Sequence, residues 1–137
     1  MEKKTIQGVA AVIEHDGEIL CVRRGPNKRD YIAYKWEFPG GKLEEGESER
    51  EALNREIKEE LKVEIDVMQK LMTVDHEYPD FQLVMHAYAC LAPHRNLTLT
   101  EHTALEWRRS ENLSGLDWAA ADVPIVECLK PRADVGG

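Results

Sequence analysis

Apolar residues dominate Ile6 to Glu14 (IQGVAAVIE), a run with β-branched residues that predicts a strand. A second strand, Glu18 to Arg24 (EILCVRR), follows it across His15-Asp16-Gly17, whose Asp-Gly pair is a hairpin signal. Gly25 to Lys35 is polar, with Gly and Pro, and reads as a mobile lip of a pocket rather than core. Trp36 to Pro39 predicts a short strand leading into Gly40-Gly41. Ser48 with Glu51 three residues later forms a capping-box pattern, so a helix is expected from about Glu49 to Leu61. Its apolar stripe is Leu53, Ile57 and Leu61. Two long strands are expected at Val63 to His76 and Phe81 to Ala92, joined at Tyr78-Pro79-Asp80. A further strand is expected over Thr103 to Arg108, then a turn or short helix at Leu113 to Trp118, and a last helix at Val123 to Leu129. Residues 130–137 read as a frayed tail. Strands, helix, long strands and helix in that order predict an α/β protein: a mixed sheet with a helix on each face.

The chain has 137 residues, which suits one domain with a sizeable core and no linker or internal repeat. No run of eighteen apolar residues is present, and the first residues lack the apolar segment of a signal peptide. Cys21, Cys90 and Cys128 are widely spaced, with no Cys-x-x-Cys pair. They predict free or buried thiols, no zinc site and a cytoplasmic setting. The net charge of −8 argues against a polymeric nucleic-acid partner, which calls for a basic face.

Chemistry concentrates in the glutamate-rich stretch from Gly40 to Val63. On the helix, Glu56, Glu59 and Glu60 fall on one arc of roughly 100° beside the apolar stripe. Carboxylates about 6 Å apart repel unless a cation or solvent lies among them. Hard divalent cations take carboxylate oxygen, and Mg²⁺ serves phosphate substrates. A solvated acidic helix face accounts for the three carboxylates as well. The wider spacing adds to this: Gly41, Glu47, Arg55-Glu56-Ile57, Glu59-Glu60 and Val63 stand in the order Gly-x5-Glu-x7-Arg-Glu-U-x-Glu-Glu-x-Gly-U, with U aliphatic. This resembles the signature of the Nudix hydrolases. Lys62 departs from it, standing where the signature has its second Gly, at the helix C-terminus. The order of the Arg23-Arg24 hairpin, Trp-Glu-Phe-Pro-Gly-Gly, the signature and Ala121-Asp122-Val123-Pro124 is similar to the MutT branch, its CTP-pyrophosphohydrolase-like members in particular.

That resemblance implies an α/β/α sandwich and metal-dependent hydrolysis of a nucleoside triphosphate, often a damaged or oxidised one. The products would be the monophosphate and pyrophosphate, with water attacking the β-phosphorus. It implies Mg²⁺, or Mn²⁺ in its place, held by Glu56, Glu59 and Glu60 with the Gly40 carbonyl. Bridging by the cation reconciles an acidic chain with a phosphate substrate. Glu47 and Arg55 would pair behind the ligands and orient them, the plainer reading of Arg55 being a surface bridge to Glu51 or Glu59. Glu59 and Glu101 are the candidate general bases. His102, beside Glu101, reads as a solvated loop residue. Strand alternation lets only one of Arg23 and Arg24 reach the site, and the resemblance favours Arg24 as the phosphate contact. Trp36 and Tyr78 are candidates to line or stack the base, Trp36 being partly core as well as wall. Asp122 would read the base edge, favouring an exocyclic amino group if ionised, or would simply cap the last helix.

Two rival functions remain at this level. Pro79 lies sixteen residues after Val63, as in some hydrolases of ADP-ribose and other nucleotide sugars. A binding module without catalysis is the other, and such modules usually lack carboxylates that are all present here. The oligomeric state is not legible in the sequence.

Overall fold

The computed structural model describes residues 3–131. The elements are β1 (Lys4–His15), β2 (Glu18–Arg24), β3 (Trp36–Glu37), β4 (Gly40–Lys42), α1 (Glu49–Leu61), β5 (Asp66–Glu77), β6 (Phe81–Leu91) and β7 (His102–Arg108). Short 3₁₀ helices at Ser110–Gly115 and Ala120–Asp122 lead into α2 (Val123–Leu129). Most of the expected frayed tail, 132–137, lies outside the described residues.

The strands form one mixed sheet in the order β3-β2-β1-β6-β5, with β4 on β1 and β7 on β2. β1 and β6 run parallel from Lys4↔Phe81 to Glu14↔Leu91, while the other pairings are antiparallel. The unbroken apolar run of β1 follows from burial on both faces. Ala10 and Val12 face one layer with Ile125 and Val126 of α2; Val9, Ala11 and Ile13 face the other with Leu53, Ile57 and Leu61 of α1. This is an α/β/α sandwich. Each of the three α1 residues is fully buried, worth roughly 2 kcal/mol apiece by apolar area.

The hairpin turns at Asp16 and Gly17, which take φ of 51° and 81° as the Asp-Gly signal requires. α1 begins where the capping box sets it: Ser48 Oγ accepts from the Glu51 amide at 3.1 Å, and the Glu51 carboxylate accepts from the Ser48 amide at 2.8 Å. It ends on Lys62 at φ 57°, ψ 39°, so the lysine takes the left-handed turn that glycine would take more easily. β5 starts at Asp66 rather than Val63 because Val63 and Ile65 are spent on the core under α1.

Segment 25–35, expected as the lip of a pocket, borders a cleft, and it is anchored to the rest of the chain. Its two Tyr–Asp and Arg–Asp contacts converge on Asp80: the Tyr31 hydroxyl donates to one oxygen, and Arg29 Nε donates to the other at 2.6 Å. Tyr31 stacks on Tyr78 at 5.2 Å, and Ile32 packs on the core under α2. Among the described residues no helix is long and apolar enough to cross a membrane.

Candidate active site

A cleft lies where the end of β2, β3, β4, the start of β7 and the C-terminal half of α1 meet. It has two lobes that share Arg24, Glu37, Gly40, Gly41 and Lys42. One, of about 590 Å³, is acidic, lined by Glu44, Glu56, Glu60, Glu101 and His102. The other, of about 380 Å³, is mainly apolar, lined by Ile6, Phe38, Tyr78, Phe81, Leu83 and Met85, with Asp122 at its inner wall and Arg29 and Asp80 at its rim.

The Gly-Gly pair makes this junction possible. A Cβ on Gly40 would stand 1.9 Å from the Val9 carbonyl oxygen, and one on Gly41 would stand 2.4 Å from the Glu56 carboxyl. Only hydrogen fits at Gly40, against backbone, so β4 closes on β1; a side chain at Gly41 would have to displace the Glu56 carboxyl.

Arg55 organises the acidic side. Its Nε and Nη2 grip both oxygens of Glu47 at 2.6 and 3.0 Å, as the pairing expected of these two residues requires. Nη1 reaches Glu56 at 2.8 Å, and Nη2 also donates to the Lys42 carbonyl. These charge-assisted bonds hold the Glu47 carboxyl below its ordinary range and push the Arg55 guanidinium further above its own.

Glu60 departs from the solvated arc anticipated for it. It is 4% exposed, and its Oε2 is buried without a hydrogen-bond partner. Burial first, then Glu56, Glu101 and Glu37, pushes its carboxyl up to about 9. Glu56 is also largely buried. Glu59 is set apart: its side chain is 61% exposed, turns to Arg55 at 3.4 Å and does not line the cleft.

The arginine pair divides as alternation demands. Arg23 binds the Thr103 hydroxyl at 3.0 Å, while Arg24 lines both lobes and meets Glu37 at 3.3 Å. Tyr78 lines the apolar lobe, and its hydroxyl accepts from the Ala121 amide. Trp36 does not line either lobe; it bridges to Trp118 and packs on the core under α2. Phe81 and Phe38 take the place in the wall expected of it.

Asp122 makes no side-chain cap to α2, which removes the capping alternative. Its carboxyl is 4% exposed and accepts from the Phe38 amide at 2.9 Å. Burial, with Glu37 nearby, pushes it well above the ordinary carboxylate range.

Glu37 and His102 are among the residues of the cleft that were missed in the sequence. His102 is not a solvated loop residue: its side chain is 3% exposed, and its Nε2 lies 3.0 Å from Glu37. Glu37 lines both lobes. The only local signal for Glu37 was its place three residues before the Gly-Gly pair.

A divalent cation fits the acidic lobe by donor chemistry. Hard carboxylate oxygens converge there, and the Glu60 Oε2 lacks any donor. Among the described residues no three such groups already close around one point, and Glu56 is turned to Arg55.

A model of the NUDIX domain matches residues 8–128. The chain is a Nudix hydrolase. It is 40% identical over 126 residues to the CTP pyrophosphohydrolase of Escherichia coli (strain K12), covering 92% of each chain. It is 32% identical over 108 residues to the 8-oxo-dGTP diphosphatase of Proteus vulgaris, covering 79% of this chain and 83% of that one. Among solved structures, the MutT protein of Methanosarcina mazei Go1 superposes with a TM-score of 0.84 at 28% identity, covering 94% and 95%. The Nudix signature thus maps onto the loop, β4 and α1 that wall the acidic lobe.

Proposed function

We propose that this Nudix hydrolase cleaves a nucleoside triphosphate to the monophosphate and pyrophosphate, with water attacking the β-phosphorus. The observation that carries the reading is the two-lobed cleft, in which an acidic lobe and an apolar lobe share Arg24 and Glu37. Relatives named for CTP and for 8-oxo-dGTP support the substrate class.

Glu56, Glu60 and the Gly40 carbonyl would hold Mg²⁺ or Mn²⁺, with Glu59 joining from the rim. When bound, the cation offsets phosphate charge and lowers the pKa of water. Arg24 binds phosphate oxygens from the opposite wall. Glu101 takes the proton of the attacking water at a carboxylate oxygen; its place in the lobe favours it over Glu59 as base. Arg55 and Glu47 keep Glu56 oriented without touching substrate.

The base enters the apolar lobe against Tyr78 and Phe81. Asp122 already accepts from Phe38 and, in its protonated form, which burial favours, would present an O–H donor. Glu37 beside it presents an acceptor. That pair matches an edge with an acceptor next to a donor, such as N3 and the N4 amino group of cytosine, or O6 and N1–H of guanine and its 8-oxo form.

The test is a panel of common and oxidised nucleoside triphosphates with Mg²⁺, followed by pyrophosphate release. Turnover in ¹⁸O water should place the label in pyrophosphate. Label in the monophosphate would mean attack at the α-phosphorus, and release of orthophosphate with a diphosphate would overturn the proposal.

A further inference from the structure

The chain before His102 is pinned to the end of α1. The Thr98 amide donates to the Leu61 carbonyl at 3.0 Å, and the Thr100 amide and hydroxyl donate to the Glu60 carbonyl at 3.2 and 2.9 Å. The β2–β7 register then sets His102 opposite Arg24, at a shift between Arg23 and Arg24. Together these constraints seat a nearly inaccessible imidazole between carboxylates from two different elements. Its Nε2 lies 3.0 Å from Glu37 Oε2 on β3 and 3.9 Å from Glu60 Oε1 on α1. The other oxygen of Glu37 meets Arg24 Nε at 3.3 Å.

A histidine kept only for packing would have both nitrogens satisfied or out in solvent. Here Nδ1 is buried with no partner among the described residues, a cost the fold sustains. The ring's polar contacts all lie on the Nε2 side. To donate to Glu37, Nε2 must carry the proton, a tautomer inferred from its partner.

We propose that His102 is a positioning residue that joins the two lobes: its Nε2–H fixes Glu37, and through Glu37 the Arg24 guanidinium, in register with Glu60. The assignment of the acidic lobe to a divalent ion and of the apolar lobe to a base rests on the function proposed above. The new content is the coupling. A base that engages Glu37 and an ion that engages Glu60 favour the same placement of the imidazole, so each tightens the other by an equal factor.

Asparagine and glutamine at this position separate the role from mere polarity. His102→Asn puts its amide at the level of Nδ1, short of Glu37, whereas His102→Gln reaches the level of Nε2. Mn²⁺ affinity is read from the electron paramagnetic resonance of the free ion, with and without CMP, alongside kcat and KM for CTP. In the parent, CMP should tighten Mn²⁺ about fivefold. His102→Asn should weaken Mn²⁺ about tenfold, abolish the effect of CMP and raise KM; His102→Gln should stay within about threefold of the parent. Independently of any variant, ¹⁵N-imidazole spectra of the parent should show the His102 Nε2–H resonance moving on addition of Mg²⁺ alone and of CMP alone. Equal behaviour of the two variants, no effect of CMP in the parent, or a resonance indifferent to both ligands would overturn the coupling. A parent that takes up no Mn²⁺ would overturn the metal reading itself, whereas normal Mn²⁺ uptake with unaffected variants would overturn this proposal alone.

Discussion

Burial decides what a substitution at Glu60 does. A solvated carboxylate would be replaced by glutamine with no effect beyond the lost ligand. The carboxyl is instead buried, with Oε2 unpartnered. Glu60→Gln should therefore lose turnover by 10²-fold or more, yet melt no lower than the parent without metal. Adding Mn²⁺ should raise the parent's melting temperature and leave the variant's unchanged; an equal rise in both would remove Glu60 from the ligand set. Asp122 gives a prediction in pH. Its folded-state carboxyl titrates above its unfolded value, so the folded chain keeps a proton that the unfolded chain loses above about pH 4. The parent's stability then falls as pH rises from about 4 toward the folded value. Asp122→Asn, which keeps the acceptor for the Phe38 amide and a donor toward the cleft, carries no such loss. Its advantage in melting should grow as pH rises from 4 to 8, while the ranking of triphosphates at neutral pH stays within about threefold. A melting difference that does not change with pH would mean that Asp122 is ionised in the fold. The environments of Asp122 and His102 were not legible locally: Asp122 meets Phe38 across 84 positions of sequence, and His102 is placed by residues 98–100 held on α1 together with the pairing of β7 on β2.

Elements whose ends are set by adjacent residues were legible almost to the residue. α1 was, because the capping box lies within four residues of chain, and so was the first hairpin, because its turn needs positive φ at Asp16 and Gly17. Segment 25–35 was not, since its anchor is Asp80, some fifty positions away. Only the core half of the expectation for Trp36 held, for the same reason: its partners, Asp117 and Trp118, lie near the other end of the chain. The one departure from the Nudix signature belongs to this scale. Lys62 holds the left-handed geometry that the signature gives to glycine, and its amide closes the helix onto the Lys58 carbonyl at 3.1 Å. A side chain in that conformation costs roughly 1–2 kcal/mol, partly offset by the freedom glycine has when unfolded. Lys62→Gly should thus stabilise the chain by about 0.5–1 kcal/mol in denaturant melts, with kcat unchanged. Destabilisation would mean that the lysine side chain makes a contact worth more than its backbone strain.

The whole molecule sets a charge problem that the cleft must solve. With a net charge of −8 overall, the acidic lobe sets Glu37, Glu44, Glu56 and Glu101, with Glu60 buried beside them, against Arg24 and Lys42. A triphosphate approaching without a cation meets like charge in a partly desolvated site, where repulsion is screened less than at the surface. Metal and nucleotide should accordingly bind together or weakly. The measurement is thermal melting with a non-hydrolysable triphosphate, with Mg²⁺, with both and with EDTA. A ligand present at a hundred times its Kd stabilises by about 2.7 kcal/mol, which for a chain of this size raises Tm by roughly 8–10 °C. That rise is expected only when nucleotide and Mg²⁺ are both present. Nucleotide in EDTA should shift Tm by no more than about a quarter as much, and hydrolysis should fall to background under the same conditions. The monophosphate, with less charge to place in the acidic lobe, should depend on Mg²⁺ less steeply than the triphosphate does. If the triphosphate stabilises the chain equally in EDTA, the phosphates rest on Arg24 and Lys42 alone, and the acidic lobe has some purpose other than holding a cation against them.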